Sequence, residues 1–113
     1  LKASEQKKVV NITSLAGSLG TRGGGMPQHF WYKGSKAAQN MFTLTLADTV
    51  QRRGIIVVAM SPGTVRTERF GDMEMPGLIE PEESIAGMIG VIENLTPAST
   101  GKFFNYDGAE LPW

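Results

Sequence analysis

Two short apolar runs, with a long helical stretch between them, constrain this chain more than any other feature. Val9, Val10 and Ile12 form the first run, and Ile55-Ile56-Val57-Val58-Ala59-Met60 forms the second. Both have the β-rich composition of strands buried on two faces, as in parallel sheets. The pattern predicts strands over 8–13 and 55–60, with a helix over 32–52 between them. Loops are expected over 15–30 and 61–79, a second helix over 81–94 and a last strand over 102–106, at a sheet edge. The fold class is therefore α/β with a parallel sheet. The first helix carries Ala37, Ala38, Met41, Phe42, Leu44, Leu46, Ala47 and Val50 over a broad arc. Such a helix needs more than one partner surface. One face packs on the sheet, and the rest meets either a second subunit or further parts of the same domain. The second helix has Pro81 at its first position and Glu82 and Glu83 against the positive end of its dipole. Its stripe Ile85, Met88, Ile89 and Ile92 is expected to be core.

Chemistry-bearing residues sit at the joints of this frame. Tyr32 and Lys36 are four apart at the start of the first helix, which places them about 40° apart around the axis and one turn up. A phenol is a poor acid or base at neutral pH, and a nearby cation favours its ionised form. A tyrosine held this way can give a proton to a carbonyl or take one from an alcohol. For the pair alone, ordinary helix surface is the commoner reading, because short motifs recur by chance. Thr13 and Ser14 fall where the first strand ends, and in open α/β sheets chemistry gathers outside the carboxyl ends of strands. A hydroxyl there can donate to a carbonyl oxygen that gains charge during reaction; the same residues also serve as turn caps. The second strand stops at Ser61-Pro62-Gly63, because Pro cannot continue the ladder and Gly lets the backbone turn. Thr64-Val65-Arg66-Thr67 follows as loop.

The order of these pieces resembles the short-chain dehydrogenase/reductase family. Asn11-Ile12-Thr13-Ser14 is similar to its catalytic-serine strand end, Tyr32-Lys33-Gly34-Ser35-Lys36-Ala37-Ala38 to its Tyr-x-x-x-Lys signature, and Ser61-Pro62-Gly63-Thr64-Val65-Arg66-Thr67 to its Pro-Gly turn. The tail Phe103–Trp113, with Arg53–Ala59 and Glu82–Met88, resembles the C-factor-like branch. The resemblance runs from Val9 to Trp113 and implies a Rossmann-type doubly wound parallel sheet. It also implies an oxidoreductase that transfers a hydride between NAD or NADP and a small-molecule carbonyl or alcohol. In that reading Tyr32 is the general acid/base, Lys36 tunes it and binds the nicotinamide ribose, and Ser14 orients the substrate oxygen. Pro62 and Gly63 shape the nicotinamide wall, while the Val65 backbone and Thr67 meet the carboxamide. Thr13 is the neighbouring alternative to Ser14, because the Ser14-to-Tyr32 segment is longer than in many members. The run Phe70–Leu78, with Met73 and Met75, corresponds to a lid over the substrate; on composition alone it is a mobile surface loop. The resemblance further implies a homo-oligomer formed through helix 32–52.

The phosphate-gripping glycine turn of a dinucleotide site needs a strand directly before it and a helix directly after it. Gly17, Gly20, Gly23, Gly24 and Gly25 do not meet that requirement and read as a flexible loop. Residues 1–113 are therefore expected to be the carboxy-terminal part of a single NAD(P)-binding domain, inactive alone. The competing expectation is a non-catalytic interaction or structural protein that keeps the scaffold without a working cofactor site. Eleven basic and eleven acidic residues balance to a formal charge of zero, which gives no electrostatic reason to expect nucleic acid or an anionic membrane as partner. There is no cysteine, and His29 is the single histidine, so neither thiolate chemistry nor a metal is expected. The expected setting is the cytoplasm.

Overall fold

The computed structural model describes Leu1 and residues 3–113. Strand β1 (Lys8–Ile12) is followed by a single 3₁₀ turn at Leu15–Gly17, then by helix α1 (Phe30–Val50) and strand β2 (Ile56–Ser61). Two short strands follow, β3 (Thr64–Val65) and β4 (Leu78–Ile79), then helix α2 (Pro81–Glu93), strand β5 (Phe103–Asn105) and strand β6 (Glu110–Leu111). The main sheet has the order β1-β2-β5-β6, with β1, β2 and β5 parallel and β6 antiparallel to β5. β3 and β4 pair in parallel as a separate two-stranded unit.

β2 is buried along its whole length, as a strand with helices on both faces must be. Its side chains alternate between two clusters. Val57 joins Ile55, Ala47 and Val50 with Val9 packed alongside, whereas Ile56 and Val58 join Leu95 with Val10, Val91 and Phe104. α1 thus covers one face and α2 the other, giving the doubly wound arrangement expected. The two crossovers step the same way across the sheet from opposite faces, so they have opposite hands. At least one therefore departs from the usual right-handed rule.

Four features differ from the sequence-based expectation. β5 is not an edge strand. Asp107 Oδ1 accepts from Asn105 Nδ2 (3.1 Å) and Ala109 N (3.0 Å), and Gly108 adopts φ +92°, so the tail folds back and β6 takes the edge. β1 is only partly buried, with Ile12 46% exposed, because among the described residues it is paired on one side only. Of the stripe expected to be core on α2, Met88 and Ile92 are partly buried, but Ile85 and Ile89 are half exposed. The buried side of α2 carries Ser84 instead, and Gly87 packs so closely on Tyr106 that a β-carbon would lie 2.5 Å from its carbonyl oxygen. That approach and the Ser84 hydrogen bond to Pro62 O (2.6 Å) fix the helix rotation. Finally, the loop expected over 61–79 contains β3 and β4.

α1 buries Asn40, Thr43, Ala47 and Val50 and leaves Ala38, Met41, Phe42 and Leu46 exposed. Its seam with β1 is polar. Asn11 Nδ2 donates to Thr43 Oγ1 (2.9 Å), Thr13 Oγ1 lies 2.7 Å from Asn40 Oδ1, and Gln39 Nε2 donates to Ile12 O (2.8 Å). No described helix is long and apolar enough to cross a membrane.

Candidate active site

The carboxyl ends of β1, β2 and β5 meet at one cavity of about 390 Å³. Its lining includes Ser14 after β1, Ser61 and Gly63 at the end of β2, Thr64 and Gly77 flanking the 66–76 excursion, and Asn105 and Tyr106 after β5. Leu15, Ala16, Gly23, Gly24 and Met26 complete one wall. Of the residues singled out by sequence, Ser14 and Gly63 line the cavity, whereas Tyr32, Lys36, Pro62, Val65 and Thr67 do not.

Ser14 opens the 3₁₀ turn, and its Oγ accepts from Ala16 N at 3.1 Å. That bond uses a lone pair and leaves the hydroxyl proton available for donation. Thr13 differs. It is buried, and the proton of its Oγ1 is directed to Asn40 Oδ1. Of the two neighbouring hydroxyls, only Ser14 faces the cavity.

The turn brings Ser14 against the first part of α1. Gly17 abuts the backbone at Lys36 and Ala37, where a β-carbon would lie 2.6 Å from the Lys36 carbonyl carbon and 2.8 Å from Ala37 N. Tyr32 stands in the first turn of α1 with 48% of its surface exposed. Lys36 Nζ lies 5.7 Å from the centre of the Tyr32 ring, within the range of a cation–π contact. The described partner of Lys36 Nζ is Gln39 Oε1 at 3.4 Å, and Gln39 in turn holds Ile12 O. A side-chain chain thus runs from Lys36 to the end of β1. An ammonium has three donors, so Lys36 retains capacity for a ligand.

The Pro-Gly turn is held from two sides. Ser84 of α2 donates to Pro62 O, and Gly63, at φ +83°, lies against the Tyr106 ring, where a β-carbon would come within 2.8 Å. Thr64 and Val65 enter β3, which pairs with Leu78 and Ile79. Between them Arg66 is the centre of a cluster. Its Nε donates to Glu80 Oε1 (2.7 Å), its Nη1 to Gly71 O and Met73 O (2.7 Å each), and its Nη2 to Glu74 Oε1 (2.8 Å). The hydrogen bond that Arg66 donates to Glu80 holds the guanidinium pKa above its ordinary value, assisted by the charges of Glu80 and Glu74. Thr67 is exposed just beyond.

The glycine-rich stretch is tied to α1. Lys33 Nζ donates to Met26 O and to Arg22 O (3.3 Å). At the far edge, Ser18 Oγ donates to Pro112 O (2.6 Å), and Trp113 Nε1 donates to Gly101 O (3.0 Å). Among the described residues no group of three or more His, Cys, Asp or Glu side chains is placed to hold a metal.

Sequence reasoning did not single out Gly17, Gln39, Ser84, Asn105 or Tyr106. Asn105 and Tyr106 were within reach. They end the third parallel strand, and the strand-end rule that selects Ser14 applies to them equally. Gly17, Gln39 and Ser84 act through contacts with distant parts of the chain and carry no local signature.

Residues 1–75 match the family model for short chain dehydrogenase. The chain is 35% identical over 116 residues to the C-signal protein of Myxococcus xanthus, covering 100% of this chain and 65% of that one. It is 40% identical over 114 residues to the 1-hydroxy-2-glutathionyl-2-methyl-3-butene dehydrogenase of a Rhodococcus species, covering 97% of this chain and 48% of that one. Among solved structures, an NADPH-bound carbonyl reductase from chicken fatty liver superposes with a TM-score of 0.84 at 34% identity. That match covers 94% of this chain and 42% of the reductase. The chain therefore spans about two thirds of the first relative and about half or less of the others. The C-signal match agrees with the branch suggested by the tail. On the family model and the shared Rossmann-type sheet, the chain belongs to the short-chain dehydrogenase/reductase family.

Proposed function

We propose that this chain is the catalytic, carboxy-terminal part of an NAD(P)-dependent oxidoreductase that interconverts a carbonyl and an alcohol. The observation that carries the reading is the close packing of Gly17 on the Lys36–Ala37 backbone. It brings the Ser14 cavity and the Tyr32–Lys36 helix together from segments far apart in sequence.

The residues present fit the nicotinamide end of the cofactor. Lys36 has uncommitted N–H donors for ribose hydroxyls, and Gly63 leaves a backbone cradle beside Tyr106 that a β-carbon would fill. Pro62 and Gly63 form the wall, and the Val65 backbone and Thr67 are the residues that would meet the carboxamide. When bound, NAD(P)H would supply the hydride to the carbonyl carbon, and NAD(P)+ would accept it in the reverse direction. Ser14 donates a hydrogen bond from its free hydroxyl to the substrate carbonyl oxygen and fixes its position. Tyr32 Oη delivers a proton to that oxygen as charge develops on it, or removes one from the alcohol in the reverse direction. Lys36, beside the phenol, offsets the negative charge left on it. Names among the relatives support the same class, since one is a dehydrogenase and one a carbonyl reductase.

The second reading is a non-catalytic interaction protein, favoured by the exposed apolar face of α1, on which Phe30, Trp31, Met41 and Phe42 stand in solvent. The same face fits a homo-oligomer of an active enzyme. The test is oxidation of NADH or NADPH by the whole protein in the presence of aldehydes and ketones. Consumption that depends on the carbonyl and is lost in Tyr32→Phe is the expected result. Failure of the whole protein to bind or oxidise either cofactor with any carbonyl would favour the second reading.

A further inference from the structure

The chain leaves β3 at Val65 and returns at Leu78. Most side chains between these points are exposed, including Met73 and Met75, so no apolar core holds the excursion in place. Arg66 does. Its side chain is only 18% exposed, and its guanidinium bonds Gly71 O and Met73 O in the middle of the excursion, Glu74 beside them, and Glu80 at the entry to α2. Its backbone N–H closes the base by donating to Ile79 O (2.8 Å). Thr64 and Gly77, at the two ends of the excursion, line the same cavity as Ser14.

We propose that Arg66 is a positioning residue that fixes the 66–77 excursion against the cavity and thereby sets how tightly the carbonyl substrate is held. This rests on the reading of the cavity as the substrate site. The planar fork of a guanidinium reaches four acceptors in diverging directions, whereas an ammonium on a flexible stem cannot hold them together. Arg66 contacts neither Ser14 nor the Tyr32–Lys36 pair, so its loss acts on substrate binding and leaves the proton-transfer step in place.

The test uses the whole protein with Arg66→Lys, which keeps the charge, and Arg66→Ala. Three quantities are measured: KM and kcat for a carbonyl substrate, the dissociation constant of NADPH, and amide hydrogen exchange over 67–77. The expected result for both variants is faster exchange confined to 67–77 and a KM raised roughly tenfold with kcat near wild type, while the NADPH dissociation constant rises less than KM because Thr67 is the one proposed cofactor contact inside the excursion. If Arg66→Ala fails to fold, Arg66→Lys alone decides. Unchanged exchange would show that Arg66 does not hold the excursion. Faster exchange with an unchanged KM would reduce it to a structural brace and overturn the proposal. A wild-type protein that turns over no carbonyl would sink the reading of the cavity, while exchange would still report separately on the brace.

Discussion

A β-carbon at Gly17 would sit within 2.8 Å of three backbone atoms of α1, and none can move aside as a flexible side chain would. Gly17→Ala therefore pushes the Ser14 turn away from the helix that carries Tyr32 and Lys36. Overpacking of this kind costs about 1–3 kcal/mol. The expected outcome is a lower denaturant midpoint and a larger fall in kcat than the stability loss explains; equal turnover in the folded variant would detach the turn from catalysis. Tyr32→Phe keeps the ring, its packing and the nearby Lys36 but removes the oxygen proposed to carry the proton. Turnover should fall by about 10²–10⁴-fold with cofactor affinity retained. Steady-state kinetics alongside a binding titration checks both halves. Near-normal turnover would remove Tyr32 from the mechanism.

At the scale of elements, the seam between β1 and α1 sets where Ser14 stands relative to the Tyr32–Lys36 pair. Thr13 and Asn40 are both buried, and Asn40 Nδ2 has no described partner. The seam thus already contains one unsatisfied donor, which costs on the order of 1–3 kcal/mol. Thr13→Val also removes the partner of Asn40 Oδ1 and should destabilise by about 1–3 kcal/mol more. Thr13→Val with Asn40→Leu replaces both polar groups and should recover most of that loss. Chemical denaturation of the single and double variants measures the difference; equal losses would mean that the hydrogen bond contributes little. α2 shows the same priority of specific contacts over hydrophobic pattern. Its small residues Ser84 and Gly87 face inward to hold Pro62 and Tyr106, while Ile85 and Ile89 turn outward.

At the scale of the molecule, the chain is a slab of 45 × 29 × 20 Å with a radius of gyration of 14.7 Å. A compact domain of this length would have a radius near ~13 Å. Its broad faces leave Trp31, Phe42, Ile85 and other large apolar side chains in solvent, and patches of this kind promote association. Among the described strands, none runs directly through a glycine turn into a helix, so the pyrophosphate of a dinucleotide finds no grip of the usual kind here. Residues 1–113 alone are therefore expected to bind NADH and NADPH weakly and to self-associate. Titration with each cofactor followed by light scattering tests this. A monodisperse monomer that binds tightly would mean that the cofactor site lies elsewhere on this surface.

Local chemistry decided the elements and the order of the motifs. Apolar runs without polar alternation give buried strands, Pro62 stops β2, and Pro81 with its acidic neighbours starts α2. Because Tyr32 and Lys36 lie one helical turn apart, their proximity was also local and legible. Resemblance put Ser14 ahead of Thr13, but local chemistry did not separate the two hydroxyls, because their difference depends on Asn40 reaching back from α1 to engage Thr13. Nor was the inner face of α2 legible, set by Pro62 and Tyr106, or the cluster around Arg66, whose acceptors lie in the middle of the loop and at the entry to α2. Those outcomes depend on which distant backbone atoms come within hydrogen-bond or van der Waals reach, and only the assembled sheet and helices fix those distances.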